Sequence, residues 1–170
     1  MRGNLETRLA KLDGSDWDGI ILAMAGLVRL GLEDRITEVL TFEKVLPAVG
    51  QGALAIEVRE DDRDTLKYVK SLASEPTTIS TTAERALLCY LEGGCQIPIG
   101  TWGRIENNKL ILDAMIGSLD GRKAVRGRIQ GSPEEAEALG TRLAQTLLDA
   151  GGKEILDRIR ESAPVESPVV

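Results

Sequence analysis

The chain has no histidine and only two cysteines, Cys89 and Cys95. The usual nitrogen ligand of zinc is therefore missing, and the cysteine spacing matches no zinc pattern. A Cys89 to Cys95 disulfide is conceivable, but an acidic cytosolic protein rarely keeps one. Long apolar runs are also lacking: the longest, Gly19 to Val28, ends at Arg29 and is too short to span a bilayer, and no secretory signal precedes it. A cytoplasmic location is the expectation. Positive charge is in deficit, with 21 Lys and Arg against 27 Asp and Glu and a net charge of −6. This balance argues against nucleic acid or an anionic membrane as partner, so any anionic ligand has to be held by locally placed arginines. What remains is ordinary for a globular protein, 42% apolar and 28% charged over 170 residues, enough for one domain or two small ones.

The most distinctive stretch is Leu91-Glu92-Gly93-Gly94-Cys95-Gln96-Ile97-Pro98-Ile99-Gly100. Ahead of it, Thr81 and Glu84 stand at capping-box spacing, which predicts a helix start. Ala83, Ala86, Leu87, Tyr90 and Leu91 then recur at helical spacing, and Gly93-Gly94 can supply a left-handed exit. Cys89 falls inside this helix as a structural residue, and Cys95 falls on the loop beyond it. Two readings of Cys95 stay open on the residues alone: a small half-buried side chain, or a thiol that a bulky reagent can reach.

Along the rest of the chain, Trp17 to Ala23 reads as a strand buried on both faces, followed by a helix over Met24 to Leu32. Ala53 to Arg59 reads as another strand, and Asp62 to Ala73 as an amphipathic helix carrying Leu66, Val69 and Leu72. From Glu75 onward the pattern is self-contained. Strands are predicted over Ile97 to Ile105, Leu110 to Ile116 and Lys123 to Ile129, turning at Asn107-Asn108 and Asp120-Gly121 as an antiparallel meander. Leu110, Leu112, Ala114 and Ile116 alternate onto one face, where Val125 and Ile129 can meet them. Ser132 as cap, Pro133 at the first helical position and Glu135 completing a box open a helix whose stripe is Ala136, Leu139, Leu143 and Leu147. Gly151-Gly152 interrupts it before a short helix with Ile155, Leu156 and Ile159, and the tail is expected to be disordered.

Four ordered motifs resemble the porphobilinogen deaminase (hydroxymethylbilane synthase) family. They are Arg2-Gly3-Asn4-Leu5-Glu6-Thr7-Arg8-Leu9, Ala23-Met24-Ala25-Gly26-Leu27-Val28-Arg29-Leu30-Gly31-Leu32, Leu46-Pro47-Ala48-Val49-Gly50-Gln51-Gly52-Ala53, and the Cys95 loop. The resemblance implies the α/β remnant of a doubly wound domain followed by an α+β domain with a three-stranded antiparallel sheet covered by helices. It divides the chain into residues 1–74 (part of the family's second domain plus a strand and helix of its first), 75–161 (the cofactor-attachment domain) and the tail 162–170. The family's amino-terminal half is expected to be absent.

For function, the resemblance implies condensation of four porphobilinogen units into hydroxymethylbilane, in tetrapyrrole and haem biosynthesis, on a dipyrromethane cofactor held by a thioether to Cys95. Each unit brings an acetate and a propionate, and arginine binds carboxylates through paired hydrogen bonds while staying charged. Arg2, Arg8 and Gln51 stand where the family places cofactor contacts, and Arg29 where it places a substrate contact. Arg35, Arg59 and Arg85 are taken as structural. The family's catalytic aspartate has no counterpart, so no catalytic residue is assigned in this chain, and the chain alone is expected to lack activity and cofactor. Its partners are porphobilinogen and the growing pyrrole chain, with no nucleic acid or membrane. The complete enzyme is expected to be a monomer, while the amino-terminal half of this chain either self-associates or is the less protected half. Two other readings are a non-enzymatic module that binds an acidic small molecule and a structural fragment whose cysteine is idle.

Overall fold

The computed structural model describes residues 2–91 and 97–162. Two compact units result, dividing after Thr41.

The first unit is small. Helix α1 (Leu5–Asp13) starts where the Asn4 side chain accepts the Thr7 backbone N–H at 2.8 Å, satisfying a donor that the first helical turn would otherwise leave unpaired. Helix α2 (Met24–Arg29) packs close to it: a Cβ added at Gly26 would lie 2.8 Å from Leu5 Cδ1. Leu9 and Leu27 are the buried apolar residues of this unit. The strand expected over Trp17 to Ala23 does not form, and Ile21 is 75% exposed. A strand needs a neighbour with which to exchange N–H···O bonds, and none of the described residues supplies one.

The second unit holds the sheet. Ala53 to Arg59 also fails to form a strand, for the same reason, and Leu54 is 97% exposed. Helix α3 (Arg63–Lys70) is shorter than expected. Asp62 caps it by accepting from Thr65, and no residue on it is buried. Helix α4 (Glu75–Tyr90) begins well before Thr81, with Ser74 ahead of it and Pro76 in its first turn, where a missing N–H costs nothing. Thr81 is thus mid-helix, its hydroxyl donating to Thr77 O at 2.8 Å, and the expected Thr81–Glu84 capping box does not exist. Ala83, Leu87 and Leu91 of the expected stripe are buried, whereas Tyr90 is exposed with its hydroxyl on Gln145 Oε1.

Strands β1 (Ile99–Glu106), β2 (Lys109–Gly117) and β3 (Ala124–Gly131) form an antiparallel meander in the order β1-β2-β3. Glu106 pairs with Lys109 across Asn107-Asn108, whose φ values of 50° and 59° suit a two-residue turn with the twist of the strands. Leu110, Leu112, Ala114 and Ile116 are all fully buried on one face, under α4 and helix α5 (Ala136–Leu147). A 3-10 turn over Pro133–Glu135 precedes α5, and the expected Ser132 cap is not made: the Ser132 hydroxyl bonds Glu134, and Glu135 faces Arg142. Gly151, at φ 105°, breaks the chain between α5 and helix α6 (Lys153–Ser162), which buries Ile155, Leu156 and Ile159. The expected tail lies, apart from Ser162, outside the described residues.

The boundary at Thr41 has local causes. Phe42 stacks on Trp102 with ring centroids 3.9 Å apart, Arg126 donates to Glu43 O at 2.9 Å, and Thr101 N–H donates to Pro47 O at 2.8 Å. These contacts bind the segment after Thr41 to the sheet's uncovered face and free edge.

Candidate functional site

In the first unit, Arg2 and Arg8 flank the start of α1 and Arg29 is the last residue of α2. Arg8 is half-buried, its Nε donating to Gly3 O at 2.9 Å. Arg2 and Arg29 are exposed, and neither side chain makes an ion pair among the described residues. Arg35 is committed to Asp13 at 2.7 Å, as a structural arginine would be. Two exposed, uncommitted guanidiniums therefore remain in this unit at motif positions.

In the second unit, Gln51 sits between two successive turns, closed by Gln51 N–H to Ala48 O at 3.0 Å and Ala53 N–H to Gly50 O at 3.1 Å. Gly50 (φ 71°) and Gly52 (φ 87°) supply the positive φ that a type II turn requires at its third residue. Gln51 projects from this double turn into solvent. Cys95 lies outside the described residues, as do Gly93 and Gly94. The ends of its loop are described. Leu91 is buried and its carbonyl accepts from Arg160 Nη2 at 3.1 Å, while Ile99 begins β1 in the core. Cys89 is on α4 but exposed, a free thiol and not the packed residue its helical position suggested.

Three features of this unit were not read from the sequence. Glu84, 6% exposed, accepts from Gly50 N–H and from Gly103 N–H, both at 2.7 Å. Arg104 lies 3.8 Å from the Trp102 ring centroid and donates to Asp113 at 2.6 Å, and Arg128 reaches the other Asp113 oxygen at 2.7 Å. Burial pushes the Asp113 carboxyl upward, but the hydrogen bonds from Arg128 and Arg104 outweigh it and hold the group below its usual range. Beside this network is a cavity of about 200 Å³ lined by Phe42, Leu46, Trp102, Asp113, Arg126 and Arg128. Each of those arginines already has a partner, so the network secures the sheet face and offers no free anion site. A second groove, about 360 Å³, is lined by Arg122, Lys123, Glu154 and Arg158 and holds none of the expected site residues. Among the described residues no cluster of acidic or sulfur side chains could hold a metal, and no helix is long and apolar enough to cross a membrane.

Residues 1–67 match the family model described as "Porphobilinogen deaminase, dipyromethane cofactor binding domain", and residues 78–149 match "Porphobilinogen deaminase, C-terminal domain". The chain belongs to the porphobilinogen deaminase family. It is 48% identical over 160 residues to the porphobilinogen deaminase of Desulforamulus reducens, covering 94% of this chain and 52% of the relative. It is likewise 48% identical over 163 residues to that of Carboxydothermus hydrogenoformans (96% and 52%), and 49% identical over 165 residues to that of Chlorobaculum parvum (95% and 53%). The chain spans about half the length of the curated relatives it matches. The matched cofactor-binding model contains Arg2, Arg8, Arg29 and Gln51, while Cys95 falls within the carboxy-terminal one.

Taken one unit at a time, the residues have suitable chemistry: in the first, the exposed Arg2 guanidinium could meet a dipyrromethane carboxylate and the exposed Arg29 guanidinium a substrate carboxylate, and in the second, the exposed Gln51 amide oxygen could accept from a pyrrole N–H.

Proposed function

We propose that this chain contributes the cofactor attachment point and part of the carboxylate-binding surface of a porphobilinogen deaminase, which condenses four porphobilinogen units into hydroxymethylbilane. Cys95 is the attachment residue, Arg2, Arg8 and Gln51 hold the cofactor, and Arg29 holds substrate. When bound, the dipyrromethane supplies the primer to which pyrrole units are added. The observation carrying this reading is that Arg2 and Arg29, at the family's motif positions, are exposed without ion-pair partners among the described residues, in a chain whose net charge is −6. Guanidiniums left unpaired amid an excess of carboxylates are available to an anionic ligand.

Local geometry supports these roles: Arg8 Nε, bonded to Gly3 O, also steadies the backbone beside Arg2, and the Ala48–Ala53 double turn presents Gln51. Sulfur suits the attachment because a thiolate attacks the methylene carbon of porphobilinogen as its C–N bond breaks. The nitrogen leaves as ammonia with the thiol proton, and the resulting thioether resists reduction. Residues 1–74 are assigned to part of the family's second domain with a strand and helix of its first, and 75–161 to the cofactor-attachment domain. No residue of this chain is assigned as the catalytic acid, so the chain alone completes no turnover.

The test is intact-mass and peptide mass spectrometry of this chain joined to the amino-terminal half of the Desulforamulus reducens relative and supplied with porphobilinogen. A pyrrole adduct on the Cys95 peptide is expected, lost in Cys95→Ala and kept in Cys89→Ala. Replacing Arg2 and Arg29 by leucine should slow elongation about tenfold or more each, the worth of one charge-assisted hydrogen bond. An adduct on Cys89, or unchanged elongation in both arginine variants, overturns the assignment.

A further inference from the structure

The second unit contains a carboxylate whose geometry is explained by neither helix capping nor an ion pair. Glu84 sits in the middle of α4, 6% exposed, and its two oxygens serve two separate segments: Oε2 accepts from Gly50 N–H and Oε1 from Gly103 N–H, each at 2.7 Å. Gly103 belongs to β1, an edge strand, and its N–H points away from β2. Two residues earlier, the Thr101 N–H on the same edge is taken by Pro47 O at 2.8 Å. Edge donors that would otherwise attract a foreign strand are thus used to fasten the segment from Pro47 to Gly50. The approach at Gly103 is tight, since a Cβ there would lie 2.9 Å from Ser80 O on α4.

Only a side chain with two acceptor oxygens can complete both bonds. Glutamine offers a single oxygen and would turn an NH₂ group toward the second N–H, while aspartate is shorter by one methylene. Because Gly50 is the third residue of the first turn and its carbonyl opens the second, anchoring its N–H fixes the orientation of the whole Gly50-Gln51-Gly52-Ala53 corner.

We propose that Glu84 is a positioning residue: it clamps the Gly50 turn to the edge of β1 and so sets where Gln51 is presented to a carboxylated pyrrole ligand. The ligand part rests on the reading of Gln51 given above, whereas the clamp itself does not.

The test uses the 170-residue chain, isotopically labelled, as the unaltered protein and as Glu84→Gln, Glu84→Asp and Gln51→Ala. Amide hydrogen exchange reads the clamp. In Glu84→Gln, exchange at Gly50 or Gly103 should rise about tenfold or more, the worth of one charge-assisted bond, with Leu112 and Ala114 unchanged. Porphobilinogen titration, followed at the backbone amides of residue 51 and Gly52, which every variant retains, reads the consequence. Gln51→Ala and Glu84→Gln should each weaken binding about tenfold, with Glu84→Asp no better than Glu84→Gln. Unchanged exchange at both glycines in Glu84→Gln overturns the clamp. Faster exchange with unaltered porphobilinogen affinity overturns the positioning role while leaving Gln51 as a contact. No response of Gln51 to porphobilinogen in the unaltered chain overturns the reading of Gln51, and the positioning role with it, whatever the exchange data show.

Discussion

Gly140 offers the sharpest test of the packing between α4 and α5. A Cβ built there would lie 2.2 Å from Ala83 O, 3.0 Å from Ala86 Cβ and 3.0 Å from Leu87 N. Ordinary van der Waals contact begins near 3.4 Å, so Gly140→Ala requires the helices to part locally by about 1.2 Å. A gap of that size forfeits roughly a quarter to a half of the dispersion energy of each contact it opens. The atoms in the way are largely backbone and cannot swing aside, which puts the cost near the upper end of the overpacking range, about 3 kcal/mol. Alanine is favoured over glycine within a helix by up to about 1 kcal/mol, leaving a net loss of about 2 kcal/mol. For a folding unit that runs from Phe42 to Val170, that lowers the melting temperature by about 5 to 10 °C. Thermal unfolding followed by circular dichroism measures it, with Ala138→Gly on the exposed side of α5 as control, where only helix propensity is lost. If Gly140→Ala melts at or above the temperature of the unaltered chain, the helices are not held at this distance and the account of the core is wrong.

The parts of the fold legible in the sequence are those set by neighbours along the chain. Asn107-Asn108 specifies its hairpin through two residues that tolerate positive φ, and the alternation from Leu110 to Ile116 specifies which face is buried. The stripe on α5 and the break at Gly151 are local in the same sense. Thr81 and Glu84 show where locality misleads. Their spacing mimics a capping box, yet the partners that decide the role of Glu84 are Gly50 and Gly103, 34 and 19 residues away. Ser74 and Pro76 carried the true start signal of α4. Trp17 to Ala23 and Ala53 to Arg59 have strand-like composition, but a strand is a property of a pair, and composition does not reveal whether the partner is present. The stack of Phe42, Trp102 and Arg104 likewise joins residues far apart in sequence, and nothing in their local patterns foretells it. As for the site, no pattern of spacing marks out Arg2, Arg8 or Arg29. Those residues came from family resemblance, and the structure adds that Arg2 and Arg29 are uncommitted whereas Arg8 is not.

Two further predictions concern polar groups in the second unit. Thr101 Oγ1 is buried with no hydrogen-bond partner among the described residues, so Thr101→Val should stabilise the chain by about 1 kcal/mol in urea unfolding; a loss of stability would show that the hydroxyl is engaged. The other concerns Asp113, which has a 15% exposed side chain and accepts from Arg104, equally shielded, and from Arg128, which is 62% exposed. Arg128 is screened by solvent and adds little, so most of the effect rests on the Arg104 bond, and Asp113→Asn should cost about 1.5 to 3 kcal/mol at neutral pH. Its pH dependence has a definite sign. The folded carboxyl titrates below its unfolded value, so its contribution is fully present above the unfolded pKa of about 4 and is lost as pH falls through the lower folded value. The stability gap between the unaltered chain and Asp113→Asn should therefore be constant from about pH 7 to 5 and narrow below about pH 4. Urea midpoints for both proteins at a series of pH values measure the gap. A gap that closes on going from pH 7 to 5, or that widens in acid, would mean that Asp113 is not held ionised by Arg104 and Arg128, and that the face carrying Trp102 is secured by the aromatic stack alone.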